Sequence, residues 1–117
     1  MDNIDWQHLL FQFDGRINRG KYWLGIAAIW VALIAAGVLY GVLGEGLGTA
    51  VLAVISLGII WPGLAIQIKR WQDRGKYGWW IFIGFIPLIG GLWQLIETGF
   101  LPGDDGPNEY GPDPLAA

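Results

Sequence analysis

Two uninterrupted apolar runs decide the fold of this chain: residues 22–43, YWLGIAAIWVALIAAGVLYGVL, and residues 47–68, LGTAVLAVISLGIIWPGLAIQI. Each run has 22 residues and no charged side chain. A helix of that length rises roughly 33 Å, close to the ~30 Å thickness of a hydrocarbon core. Only the hairpin Gly44-Glu45-Gly46 separates the runs, so they predict two helices that cross a membrane in opposite directions.

A third apolar run covers residues 79–96 and predicts a third crossing. Gly84, Pro87, Gly90 and Gly91 make it irregular, so a bent or broken helix remains an alternative. The 117 residues are 54% hydrophobic and 15% charged, which leaves no remaining chain to bury three such helices in a soluble protein.

The charged residues are divided unequally between the two sides that three crossings would create. All seven basic residues fall on one side: Arg16, Arg19, Lys21, Lys69, Arg70, Arg74 and Lys76. The other side holds only acids: Glu45, Glu97, Asp104, Asp105, Glu109 and Asp113. The positive-inside rule therefore predicts a cytoplasmic N-terminus and a C-terminus on the opposite, periplasmic side.

The residues that flank the spans predict an interfacial helix and a tail. Trp6, Leu9, Leu10 and Phe13 share one helical face, which indicates a short helix of about 5–14 lying in the interface. Its lone His8 is better explained as a solvated residue than as a metal ligand. The predicted fold is thus an all-α membrane protein: a three-helix transmembrane domain over residues 1–98, including the interfacial helix, and an irregular, acidic, Gly/Pro-rich tail over 99–117.

Small residues in the first span let helices approach closely. The pair Gly37-x-x-x-Gly41 fits contact with the second span inside one chain or, as the alternative, a homodimer. We favour the internal contact. In the second span, Pro62 lies four residues after Gly58 and predicts a kink.

The cytoplasmic surface carries the candidate site. Cations at the starts of the first and third spans lie beside helix N-termini of like sign, so an anion, either Asp73 or a lipid phosphate, is expected to compensate them. The alternative is that these charges serve only topology and helix docking. The candidate lipid-headgroup or structural cluster comprises Arg16, Arg19, Tyr22, Trp23, Lys69, Arg70, Asp73, Arg74, Trp79 and Trp80.

Four motifs resemble those of one bacterial family. They are Phe13-x-Gly15-Arg16-x-x-Arg19-x-x-Tyr22-Trp23, the segment 69–80, the segment 86–90, and the tail Gly103-x-x-Gly106-x-Asn108-x-Tyr110-Gly111-x-x-Pro114. Together, over roughly residues 11–114, they resemble the YhaH-like inner-membrane proteins of domain-of-unknown-function family 805. Trp71-Gln72 stands where that family has leucine-histidine, and Tyr77 where it has serine. The resemblance implies a multi-pass protein of the bacterial inner membrane and no particular reaction.

The residues favour a non-enzymatic role and no cofactor. Asp73 is the only acid in the second loop, and cations crowd it, so it would be a poor general base. The tail acids lack EF-hand spacing for calcium. We therefore expect an interaction or scaffold protein, or an accessory subunit, with anionic-lipid contacts; its partners would be membrane lipids, a larger complex or a second copy, and not nucleic acid. The alternative is a component of an oligomeric transporter or channel, although the spans lack the buried ionisable residues that usually mark ion paths, and Gln67 and Gln94 are their strongest polar groups.

Overall fold

The computed structural model describes residues 5–115, and within that range the chain is helical apart from turns and one isolated bridge between Asn108 and Gly111. Four α-helices occur in chain order: α1 (Trp6–Phe11), α2 (Arg19–Gly58), α3 (Ile60–Asp73) and α4 (Ile89–Leu95). A 3₁₀-helix, Gly78–Phe85, precedes α4, and a π-helical turn, Ile96–Phe100, follows it.

The two predicted spans form a helical hairpin. Gly44 lies inside α2 with φ 84° and ψ −178°, values that no helix adopts, so α2 is two helices that meet at this glycine. The stretch Arg19–Asp73 has 55 residues and would be roughly 80 Å long if it were straight. The longest extent of the molecule is only 50 Å, so the chain folds back. At the fold, a Cβ on Gly48 would lie 2.9 Å from the Tyr40 backbone, which explains the small residue there.

The hairpin is apolar and exposed. Arg19–Asp73 is the one helical stretch in residues 5–115 that is long and apolar enough to cross a membrane, judged by length and composition. Only 6% of its most apolar window is buried. A core helix of a soluble protein would be mostly buried, so these side chains have the exposure expected of a surface that contacts lipid.

The helix of the second span is interrupted at the position where Pro62 predicts a kink. Pro62 has no N–H to donate to the Gly58 carbonyl, and α2 ends at Gly58. Ile59, with φ −80° and ψ −9°, joins it to α3. The Ile59 and Gly63 amides still donate to carbonyls four residues back, so the chain stays helical through this point.

The predicted third crossing is wrong as a continuous helix. The 3₁₀-helix ends at Phe85, Ile86 is extended, and Leu88 has a φ of 65°. A Cβ on Gly90 would lie 1.8 Å from the Ile83 carbonyl oxygen, so α4 returns directly against the 3₁₀-helix. At ~2.0 Å per residue the 3₁₀-helix is roughly 16 Å long, about half of a ~30 Å bilayer core. We call residues 78–95 the 78–95 hairpin.

The helix α1 anchors the N-terminal segment. The Asp5 side chain caps it by accepting the His8 N–H at 3.0 Å. It ends at Phe11, earlier than the predicted 14, because Gln12 is extended. Its Leu9 packs into a small buried core with Ile17, Tyr22 and Ile66. His8 also contacts the Asp14 carbonyl, at 3.0 Å.

The Gly37–Gly41 pair does not make the internal contact that we favoured. A Cβ at either position would meet no atom within 4 Å among the described residues. The close contacts between the two arms occur elsewhere, at Gly25, whose Cβ would collide with Ile66, and at Gly48. The glycine pair therefore faces outward, with Val38 and Val42 exposed beside it.

Candidate functional site: a buried arginine cluster that holds the C-terminal segment

Arg16 lies at the centre of the site and uses its whole guanidinium group. Its Nε donates to Asp73 Oδ1 at 3.0 Å. Its Nη1 donates to the carbonyls of Gly106 at 2.7 Å and Gly111 at 3.2 Å. Its Nη2 donates to the Asp104 carbonyl at 2.7 Å and the Asp73 carbonyl at 3.4 Å. Because arginine has five N–H donors, this side chain has no donor left for another ligand.

Arg70 and Asp73 complete the buried part. Arg70 Nη1 contacts Asp73 Oδ2, and the Arg70 side chain is fully buried. Its Nε donates to the Thr98 carbonyl at 2.6 Å, and its Nη2 to the Leu101 carbonyl. One carboxylate thus stands between two guanidinium groups, and backbone carbonyl oxygens accept further hydrogen bonds from both of them. A buried charge is tolerated only when it is paired and hydrogen-bonded in this way.

The tail motif has the backbone geometry that this contact requires. A Cβ on Gly103 would lie 2.1 Å from Asp73 Oδ2, so only glycine fits there. Gly106 and Gly111, whose carbonyls Arg16 binds, have φ values of 71° and 136°, which favour glycine. Asn108 Nδ2 donates to the Gln72 carbonyl at 3.0 Å. The spacing of the motif thus places successive carbonyls around one guanidinium group.

A second ion-pair group borders the first. Arg74 Nε and Lys76 Nζ each donate to Glu97, both at 2.7 Å. Burial alone would raise the pKa of the Glu97 carboxyl group, but the hydrogen bonds from Lys76 and Arg74 outweigh burial and hold that pKa below its ordinary value of 4.5. Lys76 Nζ also lies 5.0 Å from the centre of the Trp80 ring, a cation–π distance.

Residues at the start of α2 also contact the C-terminal segment, at positions 99 and 100. Arg19 Nη1 donates to the Phe100 carbonyl at 2.7 Å, and Trp23 Nε1 to the Gly99 carbonyl at 2.8 Å. The Tyr22 hydroxyl accepts from Gln67 Nε2 at 2.9 Å, and so joins the two arms of the hairpin. Positions 19 and 23 lie one helical turn apart on α2, so their side chains reach neighbouring carbonyls of one strip of backbone, and Arg16 reaches it from the loop before α2.

The structure brings most of the predicted residues together, with different partners for some. Asp73 gathers Arg16 and Arg70, whereas Arg74 binds Glu97 and Arg19 binds a carbonyl. Lys69 is buried and donates to the Leu9 carbonyl at 2.8 Å, away from Asp73. Trp80 stacks on Trp71 at 5.8 Å between ring centroids. Trp79 is 76% exposed and takes no part in the cluster.

Sequence reasoning missed Glu97, Thr98 and the backbone carbonyls of the tail. We expected Glu97 and the tail on the opposite side of the membrane from the basic residues. That expectation is wrong in this structure, because Arg16, Arg70, Arg74 and Lys76 all contact residues 97–111 directly. The sequence did contain an indication of this contact. Two loops carry an excess of cations, and the glycine-rich tail forms turns that leave backbone carbonyls free to accept hydrogen bonds.

The cluster has the chemistry of a clamp, meaning a set of charges that holds two chain segments together. Over residues 5–115 no group of three or more His, Asp or Glu side chains is placed to hold a metal ion. Each carboxylate in the cluster is bound by two cations, which suits a fixed ion pair. Burial of Asp73 nevertheless raises the pKa of its carboxyl group above the ordinary value of 3.8. Two cations at the start of α2, the exposed Arg19 and the half-buried Lys21, keep capacity for an outside anion.

The exposed apolar hairpin and the buried arginine cluster define a small helical membrane protein that clamps its own C-terminal segment. The profile of a family described as "Protein of unknown function (DUF805)" matches residues 10–112. The chain belongs to this family, as the four sequence motifs predict.

Three relatives from Escherichia coli strain K12 illustrate the similarity. The inner membrane protein YhaH is 32% identical, over 87% of this chain and 86% of its own length. The inner membrane protein YhaI is 35% identical, over 87% of this chain and 85% of its own length. The protein named uncharacterized protein YiiR is 32% identical, over 92% and 88%. No solved structure matches the chain.

Proposed function

We propose that the protein is a non-enzymatic accessory or scaffold subunit of the bacterial inner membrane, with its N-terminus and its clamped C-terminal segment in the cytoplasm. The membrane assignment rests on the exposed apolar hairpin and on the names of YhaH and YhaI. The orientation rests on the seven cations, all of which lie at one end of the hairpin arms.

The observation that carries the scaffold role is the outward-facing Gly37–Gly41 pair. These glycines leave a shallow groove along α2 that no described residue of the chain fills. Helices associate within bilayers through such small-residue grooves. The charged groups of the cluster, in contrast, are engaged with one another, so they supply neither a nucleophile nor a base. The partner helix comes from a second copy or from a larger complex.

The test replaces both glycines by leucine, which fills the groove. Ala35→Leu is the matched control, since Ala35 is also exposed on α2 but points about 200° away from Gly37 around the helix. We expect the double variant to lose its partner in mild detergent, measured by native mass, whereas the control keeps it. If the parent and both variants are all monomeric and free of other proteins, the scaffold proposal is wrong.

Anionic lipid contact belongs to the same proposal, at Arg19 and Lys21. These two cations lie at the α2 N-terminus, where the amides of the first turn also attract phosphate oxygens. Replacing both by glutamine should lower the retention of anionic over zwitterionic lipid, while Lys69→Gln, a change of the same kind in a buried residue, should act on folding instead.

A component of an oligomeric transporter is the second candidate. Gln67 and Gln94 line a cavity of about 360 Å³ between α3 and the 78–95 hairpin, and Gln67 Oε1 is buried without a partner among the described residues. Polar groups at this depth often mark a solute path. A change in solute uptake by Gln67→Leu vesicles, with assembly preserved, would favour this candidate over the scaffold.

A further inference from the structure

A second cavity, of about 470 Å³, lies on the lipid-facing side between α3 and the 3₁₀-helix. Leu64, Ile68, Ile81 and Phe82 form its apolar walls, and Gln72, Tyr77 and Tyr110 form its polar end. Its size and its apolar lining with a few polar groups are typical of sites for amphiphilic small molecules. We call this cavity the trough.

The polar end of the trough contains an unsatisfied group. Tyr110 is partly buried, and its hydroxyl oxygen is shielded from solvent and has no hydrogen-bond partner of ordinary geometry among the described residues. Burial and the nearby Glu109 carboxylate raise the pKa of this hydroxyl, so it keeps the proton that it can donate. Tyr77 packs edge-on against the Tyr110 ring, with 6.3 Å between the centroids, and fixes its position. Buried polar atoms are nearly always hydrogen-bonded, so an unpaired hydroxyl on a side chain that lines an apolar cavity indicates that a ligand or a water binds there.

The surroundings of the trough indicate the chemistry of that ligand. Its outer rim carries Trp79 and Phe85, which are 76% and 78% exposed, so the trough is continuous with the apolar surface assigned to lipid above. Its polar end adjoins the clamp, where Asn108 binds the Gln72 carbonyl. An occupant must therefore enter sideways from the bilayer, with a hydrocarbon part in the trough and a hydrogen-bond acceptor near the cytoplasmic interface.

We propose that the trough binds one acyl chain of a glycerophospholipid, whose ester carbonyl accepts the hydrogen bond of the Tyr110 hydroxyl. The ester lies at the boundary between hydrocarbon and headgroup, the depth at which tyrosine and tryptophan side chains concentrate. This inference rests on the membrane assignment of the proposed function. It does not depend on the Gly37–Gly41 groove, which lies on α2.

The test measures phospholipid that remains with the full-length protein after detergent purification, by native mass spectrometry. Ile81→Trp fills the trough, and Ile34→Trp makes the same change on the exposed face of α2, where Ile34 is 63% exposed. With phosphatidylethanolamine as the one phospholipid present, so that the anionic-lipid contact at Arg19 and Lys21 is not counted, we expect one retained phospholipid on the parent and on Ile34→Trp, and a loss of at least fivefold on Ile81→Trp. Equal retention by all three proteins would overturn the proposal.

A second variant and a probe protect the test from a folding failure. Tyr110→Phe removes one oxygen and should speed phospholipid exchange about three- to tenfold, as expected for one hydrogen bond. A phosphatidylethanolamine with a photoreactive mid-chain group should cross-link to the trough walls. Cross-links to a second protein chain there, or no effect of Tyr110→Phe, would overturn the proposal. Resistance to alkaline extraction reports membrane insertion separately, so a failed membrane assignment remains distinguishable from an empty trough.

Discussion

Arg16 and Asp73 lie 57 positions apart and form a buried ion pair, with 3.0 Å between Nε and Oδ1. This contact joins the loop before α2 to the end of α3. The same guanidinium group then binds three carbonyls of the C-terminal segment. One residue thus couples the start, the middle and the end of the chain, and its loss should affect all three.

Asp73→Asn should strongly destabilise the fold, because it leaves Arg16 and Arg70 buried without a counter-charge. Breaking a buried pair in this way costs about 3–5 kcal/mol. Arg16→Lys should be nearly as damaging, since a lysine cannot reproduce the five-donor fork. Thermal unfolding in mild detergent measures both. Asp105→Asn, the same chemical change in an exposed tail residue, is the control and should unfold close to the parent.

Gly103→Ala should detach the C-terminal segment while leaving the helical hairpin intact. The new methyl group would lie 2.1 Å from the Asp73 carboxylate, so the segment must move away. Limited proteolysis should then cut the segment at least tenfold faster, which corresponds to ~1.4 kcal/mol of lost docking. Gly91→Ala, where a Cβ would meet nothing within 4 Å among the described residues, should be cut at the parental rate. Equal rates for all three proteins would show that Gly103 does not hold the segment.

The helical hairpin and the arginine cluster could be predicted from the sequence, whereas the fold-back of α4 against the 3₁₀-helix could not. Charge-free runs of 22 residues on either side of the Gly44 turn predict the helical hairpin. The cations around Asp73 predict that this carboxylate forms an ion pair. Residues 79–96 have the hydropathy of a crossing, but hydropathy does not report backbone conformation. The fold-back depends on a φ of 65° at Leu88 and on close backbone contact at Gly90. Pro87 and the glycines predict that the helix is irregular here, but they do not predict that it turns back.

Acid should weaken the second ion-pair group before the pH reaches the native pKa of Glu97. That pKa is lower in the folded protein than the ordinary value of 4.5, so the stabilisation is complete above that value and is lost as the pH falls through the folded pKa. Glu97→Gln should therefore lower the unfolding temperature at pH 7, and the difference from the parent should shrink below about pH 4.5. A difference that is constant between pH 7 and pH 3 would contradict the assignment.

Both ends of the chain should lie on the same side of the membrane. Residues 97–111 bind Arg16, Arg70 and Arg74 directly, and ion pairs of 2.7 to 3.0 Å cannot form across a bilayer. A reporter that is active only in the cytoplasm should therefore give signal when it is fused to either terminus. The control is a fusion within residues 44–46, the turn between the two crossing arms, which should activate only a periplasmic reporter. A periplasmic signal from the C-terminal fusion would mean that residues 79–96 cross the membrane after all and that the clamp does not form in the cell. Gly103→Ala tests whether the clamp is what keeps residues 79–96 from crossing: a C-terminal reporter that stays cytoplasmic in that variant would show that the 78–95 hairpin keeps its conformation without the docked segment.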